Sequence, residues 1–454
     1  MRGFCKKRYN KFFITQIDKF PFLPYNYCSL KTERQITLNY IKNCVLTSKD
    51  YIKTLFKWIA IALAVGILGG VVGSAFHICV DEVTHLRGHN GWMLFLLPLG
   101  GIVIAAMYRA FKSKGPIDTN LVIKSVREND KIPLVMVPLI FISTVITHAF
   151  GGSAGREGAA LQIGGGIGYN LGKLFKLNKT DLNIITMAGM SSVFAALFGT
   201  PVTAAVFSLE VVSVGAFNFM GILPCIIASI TAFLVATFFG IPATKFGISF
   251  GTISADAYLK VLVLGILCAI LSIVFCLAIK KTEHYMDTLI KNTFVRGFAG
   301  GVIIVGLTLL VGTTDYNGAG MEVITKAISG SARYWDFALK IIFTAITISA
   351  GFKGGEIVPT FFIGATFGCV VAPLIGLDPS IGAAIGLVAL FCGMVNCPIA
   401  SVFLGIELFG AEGILLYATA CAVSYVMSGY TSLYKTQKIV YSKTNAEYVD
   451  MCTK

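Results

Sequence analysis

Uncharged apolar runs long enough to cross a lipid bilayer recur along this chain from Leu55 nearly to Met427, and nothing else in it limits folding as severely. In hydrocarbon every backbone polar group must find its partner within the protein, so only helices and closed barrels can span. A spanning helix takes about 20 apolar residues. These runs are continuous and lack the alternating polarity of barrel strands, so helices follow. With 56% hydrophobic residues, 13% charged residues and a mean hydropathy of +0.78, the composition excludes ordinary soluble domains. The chain reads as an all-α polytopic membrane protein.

The net charge of +14 raises the question of nucleic acid, and the placement of the charges answers it. From Met1 to Lys57 there are 12 Lys or Arg against 3 Asp or Glu, and the C-terminal tail adds Lys435, Lys438, Lys443 and Lys454. Basic flanks predict both termini on the cytoplasmic side and contact with anionic membrane lipid rather than nucleic acid. Residues 1–52 are expected to be a poorly ordered, basic cytoplasmic arm or a stretch upstream of the true start, with a transit peptide as the lesser alternative. They lack the apolar core and cleavage site of a signal peptide, and a plasma-membrane location is expected. The 12 cysteines form no C-x-x-C pair and lie mostly in apolar runs, as small buried hydrophobes do. The five histidines form no ligand cluster, so neither a metal nor a cofactor is expected.

Read in order, a long helix from Leu55 carries Gly-x-x-x-Gly spacings at Gly66, Gly69, Gly70 and Gly73, which allow close helix contacts. A second span covers Trp92 to Tyr108, then a polar stretch leads to a short helix, and Ile132 to Phe150 spans again. The chain then enters Gly151 to Gly168, where Arg156 and Glu157 stand together in an otherwise uncharged, glycine-studded segment. An ionisable residue at such depth is a functional candidate, and a helix starting there points its positive end at a neighbouring anion. Adjacent residues on a helix do not face each other, which argues against a simple Arg156–Glu157 ion pair. Farther on, Gly199, Thr200 and Pro201 break an apolar run that resumes to Glu210, suggesting half-helices that meet inside the membrane.

The second half restates the first. LFKWIAIALAVG at Leu55 matches YLKVLVLGILCA at Tyr258; GREGAALQIGGGIG at Gly155 matches GEIVPTFFIGATFG at Gly355; GTPVTAAVFSLE at Gly199 matches NCPIASVFLGIE at Asn396, with Pro201 on Pro398 and Glu210 on Glu407. Three blocks in the same order indicate a duplicated fold. The expected layout is a first transmembrane repeat at 53–240, a second, inverted one at 241–430, and a pore-end segment with a cytoplasmic tail at 431–454. Duplicated halves with broken helices place a transport site at the repeat interface. Two helix N-termini, each worth roughly half an elementary charge, then converge on one place suited to an anion.

These motifs, with SLYKTQ near the C-terminus, resemble the CLC family of chloride channels and anion/proton exchangers over roughly Leu55 to Tyr441. The resemblance implies a homodimer with one pore per subunit, built from inverted repeats of tilted and half-spanning helices. It implies that Glu157 is the gating glutamate, competing with the transported anion for the helix ends and moving away when protonated. Gly155, Arg156, Gly158, and the backbone amides of Ile357 and Val358 belong to the implied anion site, as does Tyr434, whose hydroxyl would donate to the anion. The bland readings are helix packing for Ile357 and Val358 and an interfacial belt position for Tyr434.

The departures from the family pattern narrow the reading. The usual first motif, G-S-G-I-P, is replaced by PIDTN, which puts Ile117 at the serine position, followed by Asp118 and Thr119. Ala159 replaces a proline, and Val211 follows Glu210 where chloride exchangers carry an inner proton glutamate. Glu356 stands where an apolar residue is usual; its readings are a second proton-linked carboxylate or a helix N-cap. Together these features resemble the fluoride/proton antiporter branch, although Val358 stands where that branch commonly has threonine. The expectation is fluoride export against protons. The alternatives are chloride/proton exchange or passive chloride conduction on the same fold, and, from another class, a membrane-embedded enzyme using Glu157 or Glu356. For an enzyme the chain lacks a nucleophile elbow, a nucleotide loop or a metal cluster. With 25 residues after Gly429, no regulatory module is expected.

Overall fold

The computed structural model of this protein describes residues 28–111, 118–251, 254–445 and 447–453. Among these, eight helices precede residue 240: α1 (Cys28–His89), α2 (Leu97–Ala110), α3 (Thr119–Glu128), α4 (Met136–Ala149), α5 (Glu157–Leu174), α6 (Lys179–Phe198), α7 (Pro201–Glu210) and α8 (Ile222–Phe238). Eight follow in the same order: α9 (Ala255–Leu289), α10 (Thr293–Val311), α11 (Met321–Ile328), α12 (Asp336–Ser349), α13 (Ile357–Val371), α14 (Pro379–Val395), α15 (Pro398–Phe409) and α16 (Ile414–Met427). Seven helical segments among the described residues are long and apolar enough to cross a membrane; α4, α7, α14, α15 and the α16 segment are apolar but shorter. The helix that starts at Cys28 runs through residue 52, so the last part of the basic arm, expected to be irregular, is helical.

Local chemistry explains the breaks. Asn178 caps α6 by accepting from the Asp181 amide at 2.8 Å, and Gly199, at φ 69°, closes it in the left-handed conformation before Pro201 opens α7. The second half repeats the device. Asp378 caps α14 through the Ser380 and Ile381 amides, Asn396 at φ 56° closes it, and Pro398 opens α15. A left-handed residue just past one helix and a proline at the start of the next are what each terminus favours. The matching G-T-P and N-C-P breaks are therefore paired helix ends.

The glycines shared by the two motifs pack helices. A Cβ on Gly164 would lie 2.2 Å from the Gly189 carbonyl oxygen, and one on Gly364 2.5 Å from that of Gly386. So α5 rests on α6, and α13 on α14, backbone to backbone, as lipid-immersed helices do when small residues line the contact. In α1, Gly69 abuts Ser192 of α6 and Gly66 abuts Thr231 of α8.

The equivalent helices α7 and α15 run antiparallel. The carboxylate of Glu210, at the end of α7, accepts from the Ile399 and Ala400 amides at the start of α15, at 3.1 and 2.8 Å. The carboxylate of Glu407, in the last turn of α15, accepts from Val202 and Thr203 at the start of α7, at 3.0 and 2.8 Å. Each half thus caps the other. One small sheet joins the helices: β1 (Ser213–Val214) pairs parallel with β2 (Lys438–Tyr441), which pairs antiparallel with β3 (Tyr448–Cys452).

Candidate functional site

The two glycine motifs, 200 positions apart in sequence, meet as an antiparallel bridge. Gly155 donates to the Gly355 carbonyl at 2.7 Å and Gly355 to the Gly155 carbonyl at 2.6 Å. The flanks repeat this symmetry: the Ser153 amide donates to Thr347 Oγ1 at 3.1 Å, and the Lys353 amide to Thr147 Oγ1 at 3.2 Å. Side chains do not fit at the bridge. A Cβ on Gly355 would stand 2.3 Å from the Gly158 nitrogen, and one on Gly155 2.9 Å from Val358 Cβ. The bridge brings the first turns of α5 and α13 side by side. Their leading amides have no intrahelical acceptors, so both helices present positive ends at this point.

Glu157 opens α5 and is 1% exposed. Its Oε2 accepts from the Arg156 amide at 2.9 Å, and its Oε1 lies 3.8 Å from Arg156 Nε. The expectation that neighbours on a helix point apart does not apply, because Arg156 occupies the N-cap position outside the helix, at φ −115°. Both residues line a cavity of about 370 Å³ with Arg87, His148, Asn317 and Val358. Glu356 takes the N-cap position of α13, equivalent to that of Arg156, but makes no cap hydrogen bond. It faces a second cavity of about 380 Å³, lined also by Asp118, Thr119, Gln162, Lys353 and Tyr434. A Cβ added to Gly158 would come within 3.3 Å of Glu356 Oε2, so this carboxylate sits at the start of α5. Two carboxylates from opposite halves thus flank one pair of helix ends, each reached by its own cavity.

Tyr434 is 2% exposed, which removes the interfacial belt reading, and its buried hydroxyl has no hydrogen-bond partner among the described residues. The segment carrying it is tied down on both sides. Its carbonyl accepts from Thr453 Oγ1 at 2.7 Å, and Gln437 donates to the Val211 and Val395 carbonyls at 3.0 and 2.7 Å. The small sheet continues from Lys438, so the C-terminal strands hold the tyrosine inside the protein.

The other expected residues divide. Ile357 and Val358 are buried in the first turn of α13, where the Val358 side chain packs on Gly155. Thr119 lines the second cavity and receives a hydrogen bond from Gln162 Nε2 at 3.1 Å. Asp118 caps α3 by accepting from the Leu121 amide at 3.1 Å, so its charge serves a helix end. Ile117 lies outside the described residues.

Sequence reasoning missed the residues that hold the Glu157 segment. Arg87 Nη1 donates to the His148 carbonyl at 2.6 Å, and Asn317 Nδ2 to that of Gly151 at 2.8 Å. The fully buried Lys340 donates to the Tyr316 and Gly318 carbonyls at 3.1 and 2.7 Å, while the Gly318 amide donates to Gly152 at 3.0 Å. A lysine inside the apolar α12 run was the available signal, since Ile140 occupies the matching place in α4.

Comparison with known proteins agrees with this architecture. The family model described as voltage gated chloride channel matches residues 100–429. A chloride/fluoride channel protein of Pseudomonas syringae pv. tomato (strain ATCC BAA-871 / DC3000) is 35% identical over 402 residues, covering 87% of this chain and 89% of the relative. The crystal structure of a CLC-type fluoride/proton antiporter superposes with a TM-score of 0.81 at 32% identity, over 84% of this chain and 98% of that one. A slow cyanobacterial Cl-/H+ antiporter shares the fold, with a TM-score of 0.72 at 20% identity over 82% of this chain and 94% of that one.

Proposed function

Since the chain belongs to the voltage gated chloride channel family, an integral membrane fold, we propose that it exports fluoride in exchange for protons. The observation that carries this reading is the pair of buried carboxylates, Glu157 and Glu356, at helix ends joined by the Gly155–Gly355 bridge. A helix end holds either a carboxylate or a free anion, since both neutralise the same amides. Protonation removes the charge of Glu157, frees its place for fluoride, and lets the neutral side chain carry the proton. Tyr434, with its unpartnered hydroxyl, donates to the anion from the Glu356 side. The frame is pseudo-symmetric, with repeats at 53–240 and 241–430, while its chemistry is lopsided: Glu157 faces a position held by Ile357, and Glu356 corresponds to Arg156. That difference makes the two directions of the cycle unequal.

Fluoride is favoured over chloride by Ile117 at the usual serine position, by Val211 after Glu210, and by the names of the similar proteins above. Val358, in place of the branch's usual threonine, favours the second reading, chloride/proton exchange. The protein works as a homodimer in the plasma membrane with both termini in the cytoplasm. Purified protein in liposomes, with fluoride, chloride and proton fluxes recorded side by side, tests this reading. Fluoride-driven proton movement is expected in the wild type and its loss in Glu157→Gln. Equal chloride and fluoride fluxes would overturn the fluoride assignment, and proton coupling that survives E157Q unaltered would overturn the gating role.

A further inference from the structure

Helices α2 and α10 lie antiparallel and touch backbone to backbone. A Cβ on Gly101 would stand 2.4 Å from the Gly297 carbonyl oxygen, and one on Gly301 2.6 Å from Pro98 Cα. This contact sets the last turn of α2, with Arg109, beside the first turn of α10, with Arg296. Both segments, Gly91–Ala110 and Thr293–Val311, are long and apolar enough to span, so these turns lie where a helix leaves the hydrocarbon and meets lipid headgroups. A cavity of about 360 Å³ opens there, lined by Tyr108, Arg109, Arg296 and Lys353 over an apolar floor that includes Ile104 and Ala350.

Arg109, Arg296 and Lys353 line this cavity with no carboxylate among its described lining residues, while Lys353 also shares the second cavity with Asp118, Glu283 and Glu356. Asp287 pairs with Arg296, yet the buried Arg296 Nε has no partner among the described residues. The Arg109 guanidinium lies over the Phe294 ring at 5.4 Å, and Lys353 Nζ over the Tyr108 ring at 4.5 Å. No carboxylate among the described residues comes within ion-pair distance of either. Aromatic faces supply about 0.5–2 kcal/mol to such cations. A phosphate offers oxygens that match guanidinium forks and neutralises the surplus charge. Val103, Val295 and Phe298 are exposed on the same two helices and Phe111 just past the end of α2, forming an apolar surface along which acyl chains can lie.

We propose that this cavity binds the phosphate of an anionic phospholipid. Basic pockets between spanning helices take such headgroups, and each arginine or lysine adds about fivefold to affinity at the membrane surface. Lys353 also lines the cavity that reaches Glu356, so a bound phosphate holds one cation at the edge of the proposed pathway; this last link rests on the transport reading, and the site itself does not.

The test measures binding and no flux, so it stands apart from the transport assay. Full-length protein is placed in nanodiscs of phosphatidylcholine doped with phosphatidylglycerol, and the phosphatidylglycerol retained on re-purification is quantified by mass spectrometry. Wild type should retain phosphatidylglycerol above its bulk share. Arg109→Gln and Arg296→Gln should each lower apparent affinity about fivefold, and Arg109→Lys should restore most of it. If R296Q fails to fold for want of a partner for Asp287, R109Q carries the test, since among the described residues the Arg109 side chain rests on a ring face and in no ion pair. Retention in R109Q equal to that of wild type overturns the site. Displacement of the lipid by millimolar inorganic phosphate overturns the lipid as its source.

Discussion

Glu210 and Glu407 cap the starts of α15 and α7 across the two halves, and this exchange predicts which buried carboxylate is structural. In Glu210→Ala, the Ile399 and Ala400 amides lose acceptors at 3.1 and 2.8 Å. Each buried donor left without a partner costs about 1–3 kcal/mol, so the pair costs about 2–6 kcal/mol. Lipid supplies no replacement acceptor. Glu407→Ala removes the same number of bonds, but Glu407 is half-buried whereas Glu210 is buried, so its loss should fall lower in that range. Glu210→Gln keeps one acceptor oxygen and should lose about half as much as E210A. The assay is reversible unfolding in mixed micelles, with the proton-to-fluoride ratio measured in liposomes from the same preparations. The expected order of stability is wild type, then E210Q, then E210A, with the ratio unchanged. An E210A protein within about 0.5 kcal/mol of wild type would refute the capping argument. Preserved stability with a lost proton ratio would make Glu210 a proton carrier instead.

Tyr434→Phe should weaken anion binding about 10- to 100-fold, the worth of one hydrogen bond to a charged acceptor, and should leave folding intact because the hydroxyl has no partner among the described residues; unchanged fluoride affinity by calorimetry would contradict this. Gly368→Ala places a Cβ 2.0 Å from the Gly382 carbonyl oxygen, a backbone atom that cannot step aside. It should cost about 1–3 kcal/mol or prevent assembly, and a thermal midpoint equal to wild type would show that α13 and α14 tolerate separation.

Much of the fold was legible because its signals are local. Capping residues, the proline after each break and the apolar run lengths act within a few residues of one another, so α6, α7, α14 and α15 could be placed from Gly199-Thr200-Pro201 and Asn396-Cys397-Pro398. The duplicated order told which helices correspond. The short strands at Lys438–Tyr441 and Tyr448–Cys452 were not anticipated, since a tail of mixed polarity acquires its pairing only by docking on Ser213–Val214. Glu157, Glu356 and Tyr434 were nameable from their motifs, but Arg87, Asn317 and Lys340 were not. Their partners are main-chain carbonyls, which every sequence has and no motif marks.

By itself the sequence determined that the chain is helical and membrane-embedded, that it is built twice, and that a carboxylate stands at a helix start in the first half. These follow from hydropathy, terminal chemistry and repetition, all short-range. Only the tertiary structure decided how the halves meet: the bridge between Gly155 and Gly355, the exchange of caps between α7 and α15, and the burial of Tyr434 under the C-terminal strands. It also changed what the repeated glycines mean. Gly155, Gly158 and Gly355 let two chain segments touch at the site, whereas Gly164, Gly168, Gly364 and Gly368 let neighbouring helices touch. Which backbone approaches a glycine depends on where helices cross, and crossing is set by contacts between residues far apart in the chain.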